Sequence, residues 1–455
     1  MASIEFVKVS KQFDHHTVIQ NLNLRLRMEN SKQQGREDYM TDILKRIRQQ
    51  TLDLGEEQSR LEGVDVIRIE PGAIKEIPEY LGQKGFIRAV VVVDSNTYKC
   101  AGRTLEPLLQ GSGIAVHMTT LRPDAKGDVL ADEASLIQAI LDIQQFDAEV
   151  VLAVGGGTIH DISRYAAYTT AIPFVAVPTA PSVDGFNSKG ASIIARGEKV
   201  TIPAIGPSAM FADTDILTRA PARLVAAGFG DMLGKYTSLF DWRFSSMIAG
   251  EPYMERSVEI TRSALQKCVD HISSIAERSE AGVTILMEAL VESGLAMLLF
   301  AQSHPASGSE HHLSHYWEME YIRLGKKQLL HGAKVGAACI EISKLYHRIA
   351  KEGPDKWSYE AAFGSGDKGG AASIYVHWNA IAKEIALIPD EETLRGLLRT
   401  VGGTVLPIEL GINYDLLDRS LREAPRVRAN RYTLLRAYNE RQQEHGWNPQ
   451  RNSNR

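Results

Sequence analysis

Three apolar runs constrain the fold of this chain more than any other feature. Ala89-Val90-Val91-Val92-Val93, Val150-Val151-Leu152-Ala153-Val154 and Phe174-Val175-Ala176-Val177 contain no polar residue. A strand that is apolar on both faces has to be covered on both, which is the situation of a central strand in a parallel sheet flanked by helices. Weaker strand patterns stand at 64–69 and 116–118, and Met210-Phe211-Ala212-Asp213 closes the series. Helical spacing separates them at 73–81 and 131–145. Strands alternating with helices imply a parallel α/β sheet.

Beyond residue 216 the strand patterns stop. Pro221-Ala222-Arg223-Leu224 opens a succession of helical patterns, clearest at 281–300. The expected fold class is therefore α/β plus all-α: a Rossmann-like domain over 28–215, a helical domain over 216–455, and an active site in the cleft between them. Residues 29–58 are polar, with helical spacing in Tyr39, Ile43, Leu44 and Ile47. The stretch 364–370 reads as a flexible glycine-rich loop, and the polar tail after Gly446 as frayed. No internal repeat is visible.

Residues 1–27 are unlike the rest. Strand patterns at 3–13 and 17–26 resemble the opening of a sugar-transporter ABC ATPase. Such an enzyme needs a G-x-x-x-x-G-K-[ST] phosphate loop soon after, and none follows. The nearest imitation, 228–235, has one residue too many between its glycines and is followed by Tyr236. The segment reads as extraneous, with Met28 as an alternative start.

The 455 residues suggest roughly two to four domains by length alone. With 44% hydrophobic and 24% charged residues, the chain is of ordinary globular type. A net charge of -5 gives no basic excess for nucleic acid. Three scattered cysteines, Cys100, Cys268 and Cys339, argue against a disulfide framework and for a reducing cytoplasm. No uncharged apolar run is long enough to span a bilayer, and the N-terminus lacks the pattern of a secretory signal.

Val154-Gly155-Gly156-Gly157-Thr158-Ile159-His160-Asp161 is a strand entering a glycine turn and a helix. Glycines there let backbone approach a phosphate, and a helix N-terminus attracts it. The pattern is not the full G-x-G-x-x-G, so a plain tight turn is an equal reading, with Asp161 as an early-helix cap. Asp94 ends an apolar strand, where a carboxylate either accepts from ribose hydroxyls, favouring NAD over NADP, or caps a helix. The stretch 178–189 gathers Thr179, Ser182, Asp184, Asn187, Ser188 and Lys189 at a strand end, where open α/β sheets bind ligands.

Asp231 lies in Gly228-Phe229-Gly230-Asp231, read as a turn at a helix start. His311 and His315, four apart, fall on one face of a helix, whereas His312 points elsewhere and reads as a bystander. His331 opens His331-Gly332-Ala333-Lys334-Val335-Gly336. A carboxylate with two imidazoles suits a divalent metal that keeps an open position. The spacing matches neither a zinc finger nor H-E-x-x-H, and a single buried histidine is more often a core residue.

Taken together, 155–161, 178–188, 227–238, 303–318 and 331–336 are specific. From about residue 60 to 440 the chain resembles the glycerol-1-phosphate dehydrogenases, in the superfamily of iron-containing alcohol dehydrogenases, glycerol dehydrogenase and dehydroquinate synthase. The bacterial nickel- or zinc-using branch fits best; its Pro-Thr-Ala-Pro-Ser-Val-Asp-Gly-Phe pattern stands at 178–186. The resemblance implies a dehydroquinate synthase-like two-domain fold and a homodimer. It implies Asp231, His311 and His331 as metal ligands, with Asp184, His315 and Asp231 contacting substrate. It implies Asp94, Gly156, Gly157, Thr158, Ile159, His160, Asp161, Thr179, Ala180, Pro181, Ser182 and Ser188 as the dinucleotide site. The implied cofactors are NAD(H) or NADP(H) and one Ni²⁺, Zn²⁺ or Fe²⁺.

The implied reaction is reversible reduction of dihydroxyacetone phosphate to sn-glycerol 1-phosphate, with His315, or a water it orients, relaying a proton and Lys189 as the candidate cation for the phosphate. A glycerol or other small-polyol dehydrogenase is the nearest rival. Dehydroquinate synthase ranks third, because that family places Glu where Asp231 stands. A transporter ATP-binding subunit, the reading suggested by residues 1–27, lacks its phosphate loop.

Overall fold

The computed structural model describes residues 12–13, 16–17, 43–357 and 370–444. Of the two strands expected before residue 27, a short antiparallel pairing of β1 (Gln12–Phe13) with β2 (His16–Thr17) lies among them. The remainder of that segment, Tyr39, residues 364–369 and the tail after 446 lie outside the described residues. Ile43, Leu44 and Ile47 form the buried stripe of the helix Ile43–Gln50, and Gly370 opens the helix Gly370–Val376.

The strands follow in chain order as β3 (Val66–Glu70), β4 (Arg88–Val93), β5 (Ala115–Thr120), β6 (Val150–Gly155), β7 (Phe174–Pro178), β8 (Gly190–Ala195), β9 (Glu198–Pro203) and β10 (Ala209–Asp213). Six of them form one parallel sheet in the order β3-β10-β7-β6-β4-β5. The three apolar runs are β4, β6 and β7, and with β10 they fill the middle of the sheet. The weaker patterns are the edge strands β3 and β5, which stay half-exposed and keep polar residues. Order reverses between β4 and β6, since the chain leaves β4 for β5 on one side and returns to β6 on the other. Such a switch point leaves a crevice at the C-terminal strand ends.

Alternation along the central strands divides the interior. Ala89, Val91, Val93, Val150, Leu152 and Val154 face one layer, with Ile77, Leu81, Leu105 and Leu109. Val90, Val92, Val151 and Ala153 face the other, with Leu136, Ile162 and Ala166. That second layer also holds Val283, Met287, Val291 and Leu295 from the helix Glu280–Phe300. Burying each such side chain stabilises by roughly 1.5–3 kcal/mol, so the helical half contributes to the core of the sheet. This helix is long and apolar enough to cross a membrane by length and composition, but 83% of its apolar 18-residue stretch is buried inside the protein.

The hairpin β8–β9 was not expected from the sequence. Its two-residue turn is Arg196-Gly197, with φ of 57° and 78°. Hairpin turns with both central residues at positive φ usually carry Asn-Gly or Asp-Gly, so arginine hid the signal.

The Asp231 segment differs from its expected setting as well. Gly228 to Asp231 is not a turn at a helix start but lies inside the helix Ala222–Leu233. Its glycines serve close approach. A Cβ on Gly228 would stand 1.9 Å from the Pro181 carbonyl oxygen, and one on Gly230 would stand 2.4 Å from that of Gly332. A Cβ on Gly332 would stand 1.8 Å from the Ala227 oxygen. Ala222–Leu233 therefore packs almost backbone to backbone against His331–Glu352, which carries His331 at its first position.

Candidate active site

The C-terminal ends of β4, β6 and β7 form one edge. Val92 pairs with Ala153 and Gly155 with Pro178, so Asp94, the glycine turn and the loop 179–182 are neighbours beside the switch point. Gly156 precedes the helix Gly157–Thr169, whose first N–H groups are free for an anion. A Cβ on Gly155 would clash with Ile159 at 2.5 Å, whereas Gly156 faces open space. Ile159 and His160 turn inward and are buried. His160 places Nδ1 2.9 Å from the Gly156 oxygen and packs edge-on against Phe186. Burial lowers its pKa to about 3, so it is neutral. These two residues offer a ligand only their backbone.

Asp94 caps the short helix Ser95–Thr97. Its Oδ1 accepts from the N–H groups of Asn96 and Thr97 at 2.8 and 2.7 Å. A ribose contact is left to the other oxygen. The Ser188 hydroxyl turns to its own loop, donating to the Gly185 oxygen at 3.2 Å. Lys189 is exposed on the same loop.

The metal-ligand candidates converge. One atom each of Asp231, His311 and His331 lies within 4.8 Å of the others. Asp231 Oδ1 is 3.7 Å from His311 Nε2 and 3.9 Å from His331 Nε2. Two donors bound tetrahedrally at 2.1 Å stand about 3.4 Å apart, so small side-chain shifts bring this set onto a divalent ion. The Glu310 carboxylate accepts from His311 Nδ1 at 2.7 Å, which leaves the Nε2 lone pair facing Asp231. Carboxylate-to-histidine support of this kind orients a ligand and raises its basicity. Glu310 in turn accepts from the Gly308 N–H and the Thr237 hydroxyl. Although burial raises its pKa, these bonds outweigh that effect and hold the carboxyl at about 2. The donor set fits a divalent metal.

Beneath the ligands lies a buried lysine. Lys235 Nζ is 2.7 Å from Asp184 Oδ2 and 3.3 Å from Asp231 Oδ1, and it donates to the Ala306 oxygen. Burial disfavours its charge, but the two carboxylates overcome burial and hold the ammonium above the ordinary lysine range. Asp184 also accepts from Ser293, and its backbone N–H donates to Asp231 Oδ2 at 3.0 Å. The loop after β7 thus touches Asp231 directly, which joins the sheet edge to the helical half.

His315 faces the same centre, its ring centroid 6.4 Å from His311 and 6.3 Å from His331. Burial pushes the pKa values of His315 and His331 well below the usual histidine range. His315 is only 8% exposed, so it enters neutral, with a ring available to accept or donate a proton. The cleft is closed on one side by Glu318, which bridges Lys199 of β9 and Lys334, both at 2.6 Å.

The comparisons match this geometry. The family model described as iron-containing alcohol dehydrogenase matches residues 68–221. The glycerol-1-phosphate dehydrogenase [NAD(P)+] of Geobacillus thermodenitrificans (strain NG80-2) is 43% identical over 381 residues, covering 83% of this chain and 93% of its own length. The enzyme of that name from Geobacillus stearothermophilus is 45% identical, covering 81% and 90%. This chain belongs to the glycerol-1-phosphate dehydrogenase family. Among solved structures, a probable glycerol dehydrogenase from Sinorhizobium meliloti 1021 superposes with a TM-score of 0.58 at 19% identity, covering 79% of this chain and 88% of its own. A 1,3-propanediol oxidoreductase gives 0.60 at 16% identity, covering 84% and 97%. At such identities the likeness concerns fold alone: a parallel sheet followed by helices, the expected dehydroquinate synthase-like arrangement.

Three residues of this site are not legible in the sequence. Lys235 stands out there only as the end of an imperfect phosphate loop. Glu310, next to His311, carried no signal beyond adjacency. Arg164 is 1% exposed and donates to the carbonyls of Gly185, Phe186 and Gly190 while pairing with Asp161 at 3.2 Å. It clamps the loop after β7 to the helix that follows the glycine turn. An arginine within a helical pattern reads as a surface residue, and only the fold shows it inside.

Proposed function

We propose that the chain catalyses the reversible NAD(P)H-linked reduction of dihydroxyacetone phosphate to sn-glycerol 1-phosphate. The observation that carries this reading is the convergence of Asp231, His311 and His331 beside a glycine turn at the sheet's switch point, joined by the Asp184 loop. The names of relatives at 43% and 45% identity supply the substrate. When bound, a divalent metal on those three donors polarises a ketone oxygen, and a reduced nicotinamide supplies hydride. Ni²⁺ or Zn²⁺ suits the donor set best, and Fe²⁺ is compatible.

The rest is the work of this chain's side chains. Residues 156–161, 179–182 and Ser188 form the dinucleotide site, with the N–H groups opening Gly157–Thr169 set for the pyrophosphate. Asp94, beside them, favours NAD through its free oxygen. Asp184 accepts from a substrate hydroxyl while Lys235 and Ser293 hold it in place. Neutral His315 relays the proton that joins the C2 oxygen as the ketone becomes an alcohol. Lys235 offsets the charge of two carboxylates within the site. The helices from residue 216 onward carry the ligands, and residues 28–215 carry the dinucleotide. A homodimer in the cytoplasm is the expected setting.

The test is NADH oxidation by protein reconstituted with each metal, offered dihydroxyacetone phosphate beside dihydroxyacetone, with and without chelator. Chelator-sensitive turnover far faster with the phosphorylated ketone than with dihydroxyacetone, giving the sn-1 product, is expected. Turnover of dihydroxyacetone alone would move the assignment to a glycerol dehydrogenase.

A further inference from the structure

Resting on that reading, we infer that Arg428, seated on Ser303 and Ser307, is the residue that receives the substrate's phosphate. A phosphate dianion needs a cation that is not already committed to a carboxylate. Around the metal centre the other cations each face a carboxylate. Lys199 and Lys334 share Glu318, Lys235 holds Asp184 and Asp231, and Arg431 pairs with Glu251 at 3.0 Å. Lys189 is exposed on its loop.

Arg428 differs. It ends the short 3-10 helix Ala424–Arg428, which packs along the helix Ser309–Arg323 that carries His311 and His315. Its Nη1 donates to Ser303 Oγ at 2.8 Å and to Ser307 Oγ at 3.1 Å. Among the described residues no carboxylate pairs with it, and its Nε and Nη2 edge has no hydrogen-bond partner. Desolvation first, then the neighbouring Arg431, lowers its pKa to about 10 against the opposing pull of Glu310.

Arg428 also lies on the substrate side. Ser303 and Ser307, which it holds, stand just before the helix Ser309–Arg323 that carries His311 and His315. Beside it, His312 is 1% exposed with neither ring nitrogen partnered. Arg431 Nη2 is likewise buried and unpartnered. The ligand these groups fit is a phosphate ester whose carbon chain reaches the metal centre. Arg428 supplies a planar fork, the Ser303 and Ser307 hydroxyls turn their protons toward the anion, and His312 adds a donor.

The experiment compares wild type, Arg428→Gln, Arg428→Lys and Lys189→Ala, each metal-reconstituted. It measures kcat/KM for dihydroxyacetone phosphate and for dihydroxyacetone, and the inhibition constant of inorganic phosphate. In Arg428→Gln, kcat/KM for the phosphorylated ketone is expected to fall on the order of a hundredfold, the loss of a charge-assisted contact of about 1.5–3 kcal/mol. The inhibition constant of phosphate should rise in parallel, and turnover of dihydroxyacetone should stay at its wild-type level. Arg428→Lys should recover part of the loss, and added guanidinium ion should partly rescue Arg428→Gln. Lys189→Ala, at the rival cation, should lower kcat/KM for the phosphorylated ketone far less than Arg428→Gln does. An Arg428→Gln enzyme with wild-type kcat/KM for the phosphorylated ketone overturns the inference, and so does an equal fall for both ketones, which marks a structural role. If wild type uses only dihydroxyacetone, the substrate reading fails on its own. The phosphate inhibition constant then decides the Arg428 site, and an unchanged value overturns it.

Discussion

The two sides of the cleft are built from different materials. At the sheet edge the site is backbone: the glycine turn, the first N–H groups of Gly157–Thr169, and a loop held by Arg164 through carbonyl oxygens. Across the cleft it is buried charge. Asp231, Asp184, Lys235, Glu310 and Lys334 are each at most 7% exposed, and each is balanced by a neighbour. A backbone site tolerates side-chain change wherever there is room. A site of compensated charges does not, because removing one member leaves another unpaired in a low dielectric.

That contrast breaks most readily at Lys235. Lys235→Met leaves two adjacent buried carboxylates without their cation and is expected to destabilise the metal-free protein by roughly 3–5 kcal/mol. Urea denaturation checks this, and adding a divalent metal should recover part of the loss, since the ion supplies positive charge to Asp231. Equal destabilisation with and without metal would mean that Lys235 and the ion do not share that role. Next comes Gly332→Ala, whose new Cβ would stand 1.8 Å from the Ala227 oxygen. Forcing the two helices apart should cost roughly 1–3 kcal/mol and weaken metal binding, as read by Tm and by competition with a chelator.

Acid sharpens the comparison through the histidines. The pKa values of His160 and His312 are about 3, and those of His315 and His331 are well below 6.5, in each case mainly through burial. The unfolded chain therefore takes up protons that the folded chain refuses. Metal-free stability should fall as pH drops below about 6.5, by roughly 1.4 kcal/mol per pH unit for each such histidine. Asp161 and Asp241, raised to about 6 by burial, act in the opposite sense between about 4 and 6. A denaturation midpoint that stays flat from pH 7 to 5 would show that these histidines protonate within the fold. The smallest effect belongs to the backbone side. Gly156→Ala enters open space at an ordinary φ of -86°, so stability should change by no more than about 0.5 kcal/mol while NADH binding weakens by titration.

Legibility in the sequence follows the same division. The central strands were readable because full burial leaves an uninterrupted apolar run, and the sheet edge was readable because glycines and hydroxyls collect where strands end. The candidate metal ligands stand out as residue types, yet the setting of Asp231 does not. Gly228 and Gly230 look like a turn until Pro181 and Gly332 are seen pressed against them. The hairpin β8–β9 was hidden by an arginine at positive φ. Lys235 and Arg428 were hidden more thoroughly, because nothing local separates a buried lysine or arginine from a solvated one. Asp231 stands only four residues before Lys235, but Asp184, and Ser303 for Arg428, lie far along the chain.

The placement of Glu280–Phe300 against the sheet has a consequence for how the protein is made. The last sheet strand, β10, ends at Asp213, and the helix that completes one face of its core ends at Phe300. About 90 residues separate the two, or roughly 4 to 17 seconds of synthesis at about 5–20 residues per second. During that interval Val90, Val92, Val151 and Ala153 await part of their cover. The nascent chain carries an apolar sheet face through this window, and ribosome-associated chaperones would meet the protein there.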